Sequence, residues 1–262
     1  MQSLVSLEVL YSLSGLLVGL LVGLTGVGGG SLMTPLLILL FGVHPTTAIG
    51  TDLLFAATTK TTGTVVHAAS RTIDWRLVGL LALGSVPATI ATVIVLSHFD
   101  LKSGAAEHVI AVVLGVVLLM TALFLITGKQ IRERFGDTLA ALDRRSTAIF
   151  TIVLGLIMGI LVTATSVGAG AIGVTVLLIL HPQMSAGRVV GSDIAHAVPL
   201  TLLAGAGHWY LGSVDWDLLG HLLIGSLPGI VLGSYLATRA RDLVVRVTLA
   251  GVLLIVGVRL MG

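Results

Sequence analysis

The feature that most constrains this chain is the recurrence of apolar runs about 20 residues long from one end to the other. As α-helices, runs of this length match the ~30 Å hydrocarbon layer of a bilayer. Charged residues make up 10% of the 262 residues, whereas a soluble domain usually carries about 25%. A soluble core of this size would therefore lack polar cover, and the sequence predicts an all-α polytopic membrane protein.

Ten apolar segments fall into two sets of five, separated by one long polar stretch. The first set covers residues 7–25, 31–43, 46–69, 76–96 and 104–127. The second set covers residues 147–165, 171–180, 186–210, 216–237 and 243–261. We therefore predict one transmembrane domain composed of a first membrane repeat (1–127), a cytoplasmic linker (128–146) and a second membrane repeat (147–262).

Each set carries the same rare residues in the same order, at an offset of 140–141 residues. The first-half elements are the glycine run at 26–30, Gly50-Thr51-Asp52, Asp74-Trp75 and Gly84-Ser85-Val86-Pro87. Their second-half counterparts are residues 166–170, Gly191-Ser192-Asp193, Asp215-Trp216 and Gly225-Ser226-Leu227-Pro228. Agreement in register over more than 60 positions indicates an internal duplication.

Basic residues change sides between equivalent links of the two repeats. The link at 71–76 carries Arg71 and Arg76, whereas its second-half counterpart carries only acidic charges. Conversely, the link at 97–103 carries one basic residue and its counterpart carries three. Because basic residues concentrate on the cytoplasmic side of a membrane, this exchange predicts inverted repeats in the inner (cytoplasmic) membrane. Both termini are then external.

Inversion requires an odd number of crossings in each repeat, and the second segment of each set is short. Residues 31–43 would rise about 20 Å as a helix, and residues 171–180 about 15 Å. Neither segment spans the bilayer comfortably. We therefore expect the first two segments of each repeat to form a short hairpin that ends inside the membrane, with a glycine motif at its tip.

The glycine motifs are the first candidate for a binding site. Glycine lets backbone N–H groups face a ligand without an intervening side chain, and a helix that begins at the motif directs its positive end to the same place. The alternative is that these residues only allow helices to pack closely. The substrate-binding candidates from the two motifs are Gly28, Gly29, Gly30, Ser31, Ser166, Gly168, Ala169 and Gly170.

A polar stripe on segment 46–69 is the second candidate. Asp52, Lys60 and His67 recur at helical spacing on one face, and Thr59 is one of several threonines around them. The second half repeats the stripe with altered chemistry, as Asp193, Thr201 and His208.

Lys60 lies near the middle of its segment, where a charge that faces lipid costs about 3 kcal/mol or more. It must therefore face the protein interior. Three interpretations stay open at this stage. The ammonium could attract an anionic substrate, it could form a structural ion pair with Asp52 about 12 Å away along the helix axis, or it could be neutral.

Asp52 and Asp193 also have two interpretations. With His196 nearby, these groups could exchange protons and couple anion movement to a proton gradient. Alternatively, each aspartate could cap the first turn of its own helix, because each follows Gly-Thr or Gly-Ser near the start of a segment.

At these residues the chain resembles the TauE/SafE sulfite exporter family of membrane permeases. The resemblance rests on the glycine run at 26–30 with Pro35, and on the following run Ala48-Ile49-Gly50-Thr51-Asp52. It implies transport of sulfite, sulfonates or related organosulfur and carboxylate anions, with a site between the repeats.

The leading hypothesis is a secondary transporter of small anions that works by alternating access, and the main alternative is an anion channel that uses the same midplane site. An intramembrane enzyme is disfavoured, because neither a serine nucleophile turn nor an HExxH metal pair occurs. The absence of cysteine excludes thiolate chemistry, and we predict no cofactor or metal. The expected partners are a small anion and the lipid bilayer, not nucleic acid; a homodimer stays open.

Overall fold

The computed structural model describes residues 2–25, 30–101, 103–140, 142–168, 170–237 and 242–261, which form helices and short links without strands. The helices of this described part are α1 (Gln2–Thr25), α2 (Gly30–Phe41), α3 (Pro45–Ala69), α4 (Trp75–Ser97), α5 (Gly104–Ala140), α6 (Arg144–Thr165), α7 (Ala171–Leu180), α8 (Ala186–Tyr210), α9 (Trp216–Ala237) and α10 (Asp242–Met261). The all-α fold is confirmed, and each helix corresponds to one of the apolar segments.

Six of the described helices, α1, α4, α5, α6, α8 and α9, are long and apolar enough to cross a membrane. The chain is therefore a multi-pass membrane protein. Helix α3 is also 25 residues long, but Asp52, Lys60 and its threonines make it too polar to be counted with them. Helices α2 and α7 have only 12 and 10 residues.

The polar stretch between the repeats is mostly helical. Helix α5 continues to Ala140 and α6 begins at Arg144, so residues 128–146 consist largely of two helix ends. Asp143 caps α6 by accepting hydrogen bonds from the backbone N–H groups of Arg145 and Ser146. Hydrogen bonding, first from Ser146, lowers the pKa of the Asp143 carboxyl.

Glycines set the packing between the two halves. Gly84 of α4 lies against the backbone of Ile152 and Leu156 in α6, and Gly225 of α9 lies against Ser12 and Leu16 in α1. These are equivalent positions in the duplication. In both pairs the contacts advance in the same direction along the two helices, as Leu81–Gly155 and then Ser85–Gly159 show for α4 and α6, so the paired helices are parallel.

Helices α3 and α8, which are equivalent to each other, pack antiparallel. Gly50 of α3 lies against His208 near the end of α8, and Gly191 of α8 lies against His67 near the end of α3. Two matching hydrogen bonds extend this exchange: Asp74 N–H donates to Ser192 Oγ at 2.8 Å, and Asp215 N–H donates to Thr51 Oγ1 at 3.0 Å. The halves therefore exchange equivalent contacts, while their orientation in a bilayer stays a prediction.

Helices α6 and α7 form an antiparallel hairpin. Gly173 lies against Met158, and the ring of His181 just after α7 bonds to Thr151 Oγ1 at 3.0 Å. Because Thr163 of α6 is hydrogen-bonded to Thr89 of α4, α6 ends about 9 Å short of the end of α4 at 1.5 Å per residue. The bend after α6 therefore lies within the helix bundle. The tip of the first hairpin, residues 26–29, is outside the described residues.

The glycine contacts predict a matched pair of outcomes. Gly84→Ala and Gly225→Ala each place a methyl group against a backbone carbonyl of the neighbouring helix, and we expect each to lower the stability by about 1–3 kcal/mol. Gly79→Ala and Gly220→Ala, on the same two helices, meet no atom within 4 Å and should be neutral or stabilising by up to ~1 kcal/mol. Thermal unfolding in detergent measures the difference, and equal melting temperatures for all four variants would contradict this packing.

The predicted topology can be tested by cysteine labelling, because the natural chain has no cysteine. An impermeant maleimide should label Ser103→Cys in intact cells, and should label Ser70→Cys only after the cells are permeabilised. Peptide tags at both termini should be cleaved by external protease. Termini on opposite faces of the membrane would disprove inverted repeats.

Candidate functional site

A cluster of ionisable side chains is buried where α3 crosses α8. Its members are Lys60 and Asp52 of α3 with Asp193 and His196 of α8, here called the central cluster. Lys60 is 7% exposed, Asp193 is 2% exposed, and the other two are fully buried. The antiparallel crossing of two equivalent helices thus brings polar residues from both repeats into one place.

Lys60 is within electrostatic range of both carboxylates. Its ammonium interacts electrostatically with Asp193 and, to a smaller extent, with Asp52. Within the described residues, however, no carboxylate lies within 4.0 Å of Lys60 Nζ and no hydrogen bond reaches it. A direct ion pair between Lys60 and Asp52 is therefore not formed, and the ammonium keeps its donors for another group.

Asp52 does not cap its own helix, which corrects one of the two interpretations of the sequence. It is well inside α3, which begins at Pro45. Its carboxylate instead accepts hydrogen bonds from the backbone N–H of Thr34, at 3.2 Å, and from the Thr34 hydroxyl. Asp52 therefore connects α3 to the first turns of the short helix α2.

Asp193 does not cap its own helix either, because α8 begins at Ala186. Like the Oδ1 oxygen of Asp52, its Oδ1 oxygen makes no hydrogen bond in the described part of the chain. This oxygen lies against Gly173 of α7, where a Cβ atom would be only 2.7 Å from it. Both repeats thus place an aspartate at the start of a short helix, but only the first repeat supplies it with donors.

His196 connects the central cluster to α4. Its Nε2 atom is 2.8 Å from Ser85 Oγ, while Nδ1 has no partner among the described residues. The ring is also within electrostatic range of Lys60. His196 therefore has one nitrogen anchored and one nitrogen available inside the cluster.

The bend between α6 and α7 reaches the same region. Ser166 ends α6 in a left-handed conformation with φ 60°, and its hydroxyl faces Asp52 without completing a hydrogen bond. Gly168 and Gly170 have φ values of 120° and 122°, which favour glycine. Gly170 precedes α7 without a side-chain cap, so the first N–H groups of α7 have no side-chain acceptor there.

Not every predicted glycine-motif residue can be compared with the structure. Gly30 begins α2, which agrees with a helix that starts at the motif. Gly28, Gly29 and Ala169 lie outside the described residues, as does the side chain of Ser31.

The two equivalent histidines and the threonines have other partners. His67 Nδ1 is 2.8 Å from Thr72 Oγ1, and His208 Nε2 is 2.9 Å from the Thr163 carbonyl oxygen, so each ring holds a link or a neighbouring helix. His67 is also about 10 Å from Lys60 along α3. The structure does not bring these rings into the central cluster.

Thr59 and Thr201 are buried and donate to carbonyls of their own helices, Ala56 at 3.2 Å and Ala197 at 2.8 Å. Each hydroxyl uses its hydrogen in this bond, so its oxygen can only accept further hydrogen bonds. It can therefore bind a group that donates a proton, but it has no hydrogen left to donate to an anion.

Comparison with known proteins identifies the family of the chain. The family profile described as "Sulfite exporter TauE/SafE" matches residues 11–260. The chain belongs to the TauE/SafE family. It is 37% identical over 252 residues to the "Probable membrane transporter protein YjnA" of Bacillus subtilis, covering 95% of this chain and 97% of that protein.

Two more distant relatives carry similar descriptions. The chain is 27% identical over 221 residues to the "Probable membrane transporter protein YdhB" of Bacillus subtilis, covering 83% and 85% of the two chains. It is 27% identical over 230 residues to a "Probable membrane transporter protein" of Xylella fastidiosa, covering 86% and 83%. No solved structure matches the chain. The family resemblance and the membrane-transporter class are thus confirmed.

Sequence reasoning missed two residues of this TauE/SafE site, Thr34 and Ser85. Ser85 belongs to the duplicated element Gly84-Ser85-Val86-Pro87, so its recurrence was a usable signal, although nothing in the sequence pairs it with His196. Thr34 is a small polar residue in an apolar leg, and its role depends on how α2 packs against α3.

Proposed function

We propose that this TauE/SafE protein is a secondary transporter that carries small anions across the cytoplasmic membrane by alternating access and in company with protons. The substrate class is sulfite, sulfonate or a related organosulfur or carboxylate anion. The observation that carries the proposal is the buried ammonium of Lys60, which has no direct ion pair in the described part of the chain.

The position of Lys60 supports an anion site between the repeats. Its donors are available in a region where α3 of one repeat meets α8 of the other. The uncapped start of α7 supports the same role, because free backbone N–H groups and the positive end of a helix favour a negative charge. An anion that approaches Lys60 would thus be held by one full charge and by backbone donors.

The charge of the central cluster supports proton coupling. With Asp52, Asp193 and Lys60 all ionised, the cluster carries a net charge of −1. A second negative charge ~5 Å from an uncompensated carboxylate costs about 3 kcal/mol at an effective dielectric constant of ~20. Protonation of one carboxyl group removes this cost, so anion and proton enter more favourably together than the anion alone.

Asp193 is the better candidate for that proton. Thr34 donates two hydrogen bonds to Asp52, which favours its ionised form. Each aspartate has an Oδ1 oxygen without a donor among the described residues, but only Asp52 has donors to its other oxygen there. In this scheme Asp52 stays a positioning group and Asp193 takes up and releases the proton.

Removal of the ammonium should abolish transport without unfolding the protein. We expect Lys60→Met to reduce sulfite uptake into proteoliposomes by about a hundredfold, because the anion loses a buried charge-assisted hydrogen bond worth roughly 3 kcal/mol. Lys129→Met, which removes an exposed lysine, is the matched control and should keep wild-type flux. A folded Lys60→Met protein with wild-type flux would disprove the role of Lys60.

A thermal-shift screen of the wild-type protein against sulfite, sulfate, thiosulfate, sulfonates and dicarboxylates defines the substrate for these assays. Electrical recording addresses the channel alternative. Thousands of ions per opening would exclude a carrier.

Neutralisation of Asp193 should separate anion movement from proton movement. We expect Asp193→Asn to keep the exchange of labelled anion for unlabelled anion, while an imposed pH gradient no longer drives net uptake. Asp217→Asn, an exposed aspartate at the start of α9, serves as the control and should stay coupled. Gradient-driven uptake by Asp193→Asn at the wild-type level would remove Asp193 from the proton pathway.

A further inference from the structure

A polar cavity lies at one end of the helix bundle, away from the central cluster. It has a volume of 470 Å³ and opens where the α3–α4, α5–α6 and α7–α8 links meet. We call it the basic cleft. Its polar lining residues are Asp74, Arg76, Arg144, Thr147, His181 and Gln183.

The positive charge of the basic cleft is not neutralised by its one acidic residue. Asp74 Oδ1 accepts hydrogen bonds from the backbone N–H groups of Arg76 and Leu77. Its other oxygen, Oδ2, pairs with Arg188 Nη2 at 3.3 Å. In the described residues no carboxylate lies within 4.0 Å of the side chains of Arg76 or Arg144, and both arginines line the cavity.

His181 forms a fixed part of the wall. It is only 9% exposed, and its Nε2 atom is held by Thr151 Oγ1 at 3.0 Å. No hydrogen bond to Nδ1 is found in the described part of the chain. Burial lowers the pKa of His181 from its usual value, so the cationic groups of the cleft at neutral pH are the two arginines.

The other repeat shows that these arginines are not a requirement of the architecture. In the duplication, Asp217 stands where Arg76 does and Leu4 stands where Arg144 does, while Glu8 stands where Ala148 does. At this equivalent place His221 lies between the two acids, 4.0 Å from Glu8 and 3.8 Å from Asp217. The same helix geometry thus carries acidic residues in one copy and unpaired arginines in the other.

Helix α7 connects the basic cleft to the central cluster. Its first turn contacts Asp193 through Gly173, and its last residues, with His181, line the cleft. Eight residues separate the two positions, which is about 12 Å along the helix. An anion in the cleft would therefore be close to the central cluster without contacting it.

We infer that the basic cleft is a second binding site for a small oxyanion, which docks between Arg76 and Arg144 before it moves to Lys60. Guanidinium groups bind oxyanions through paired N–H donors and stay charged at any physiological pH. The identity of the anion as the transported one rests on the proposed function, whereas binding at the cleft does not. The oxyanion could be free in solution or belong to an anionic lipid headgroup, which experiment distinguishes.

The test measures binding in a protein that lacks the central ammonium. Lys60→Met protein in phosphatidylcholine nanodiscs is titrated with sodium sulfite and with sodium sulfate by calorimetry. We expect weak binding of one anion per chain, and the added double change Arg76→Gln/Arg144→Gln should weaken it by about tenfold or more. The matched control is Arg134→Gln/Arg145→Gln, which removes the same charge from exposed arginines outside the cleft and should change the affinity by less than about twofold.

A second set of nanodiscs identifies the source of the oxyanion. Sulfite binding that persists with phosphatidylglycerol in the nanodisc indicates a soluble anion. Competition by phosphatidylglycerol that requires Arg76 and Arg144 indicates a lipid headgroup, and both results support the site.

No anion binding to Lys60→Met protein, or equal losses of affinity in the two double variants, would overturn the proposal. This binding result can be interpreted even if the Lys60 transport prediction fails, because every protein in the binding test lacks the central ammonium.

Discussion

The burial of Lys60 is the constraint on which the rest of the structure depends. A charge near the middle of a bilayer is tolerated only with polar surroundings, since exposure to lipid costs about 3 kcal/mol or more. The chain supplies those surroundings from both repeats: Asp52 on the same helix, Asp193 on α8, and the bend between α6 and α7. If α3 and α8 ran parallel, Asp193 would lie level with Asp52, about 12 Å from Lys60 along the helix axis. The antiparallel crossing is thus a requirement of the charge as well as a result of the duplication.

Small residues make that crossing achievable. Gly50 and Gly191 allow the ends of α3 and α8 to approach the opposite links, and Gly84 and Gly225 allow α4 and α9 to pack directly against backbone. Because hydrophobic burial contributes little between helices in lipid, such close van der Waals contact is the main source of association. Glycine therefore acts in this protein mainly as a packing residue between helices, and as a conformational residue at the α6–α7 bend.

The sequence predicted the helices and the duplication well, because both leave a periodic signal in one dimension. Apolar runs mark the ten segments, and repeated rare residues mark the equivalent positions.

The candidate site was predicted only in part. Asp52, Lys60 and Asp193 do come together, since each belongs to a polar stripe on its helix, and His196 joins them from its position close to Asp193 on α8. Thr34 and Ser85 were missed, because their importance comes from a partner on another helix. His67 and His208 share the stripe but bond elsewhere, since the stripe continues past the crossing into the helix ends. The capping interpretation of Asp52 and Asp193 was wrong because each aspartate lies about two turns inside its helix, beyond the first-turn N–H groups that a cap would bind.

Thr201 stands where the symmetry of the duplication would put a second lysine. In a carrier with two identical inverted halves, the inward-facing and outward-facing conformations would be equivalent and would have equal energy. In the alternating-access cycle that we propose, the ammonium on α3 and the hydroxyl on α8 would place the same charge in unlike surroundings in the inward-facing and outward-facing forms. The resting protein should therefore favour one of the two forms before any gradient acts on it.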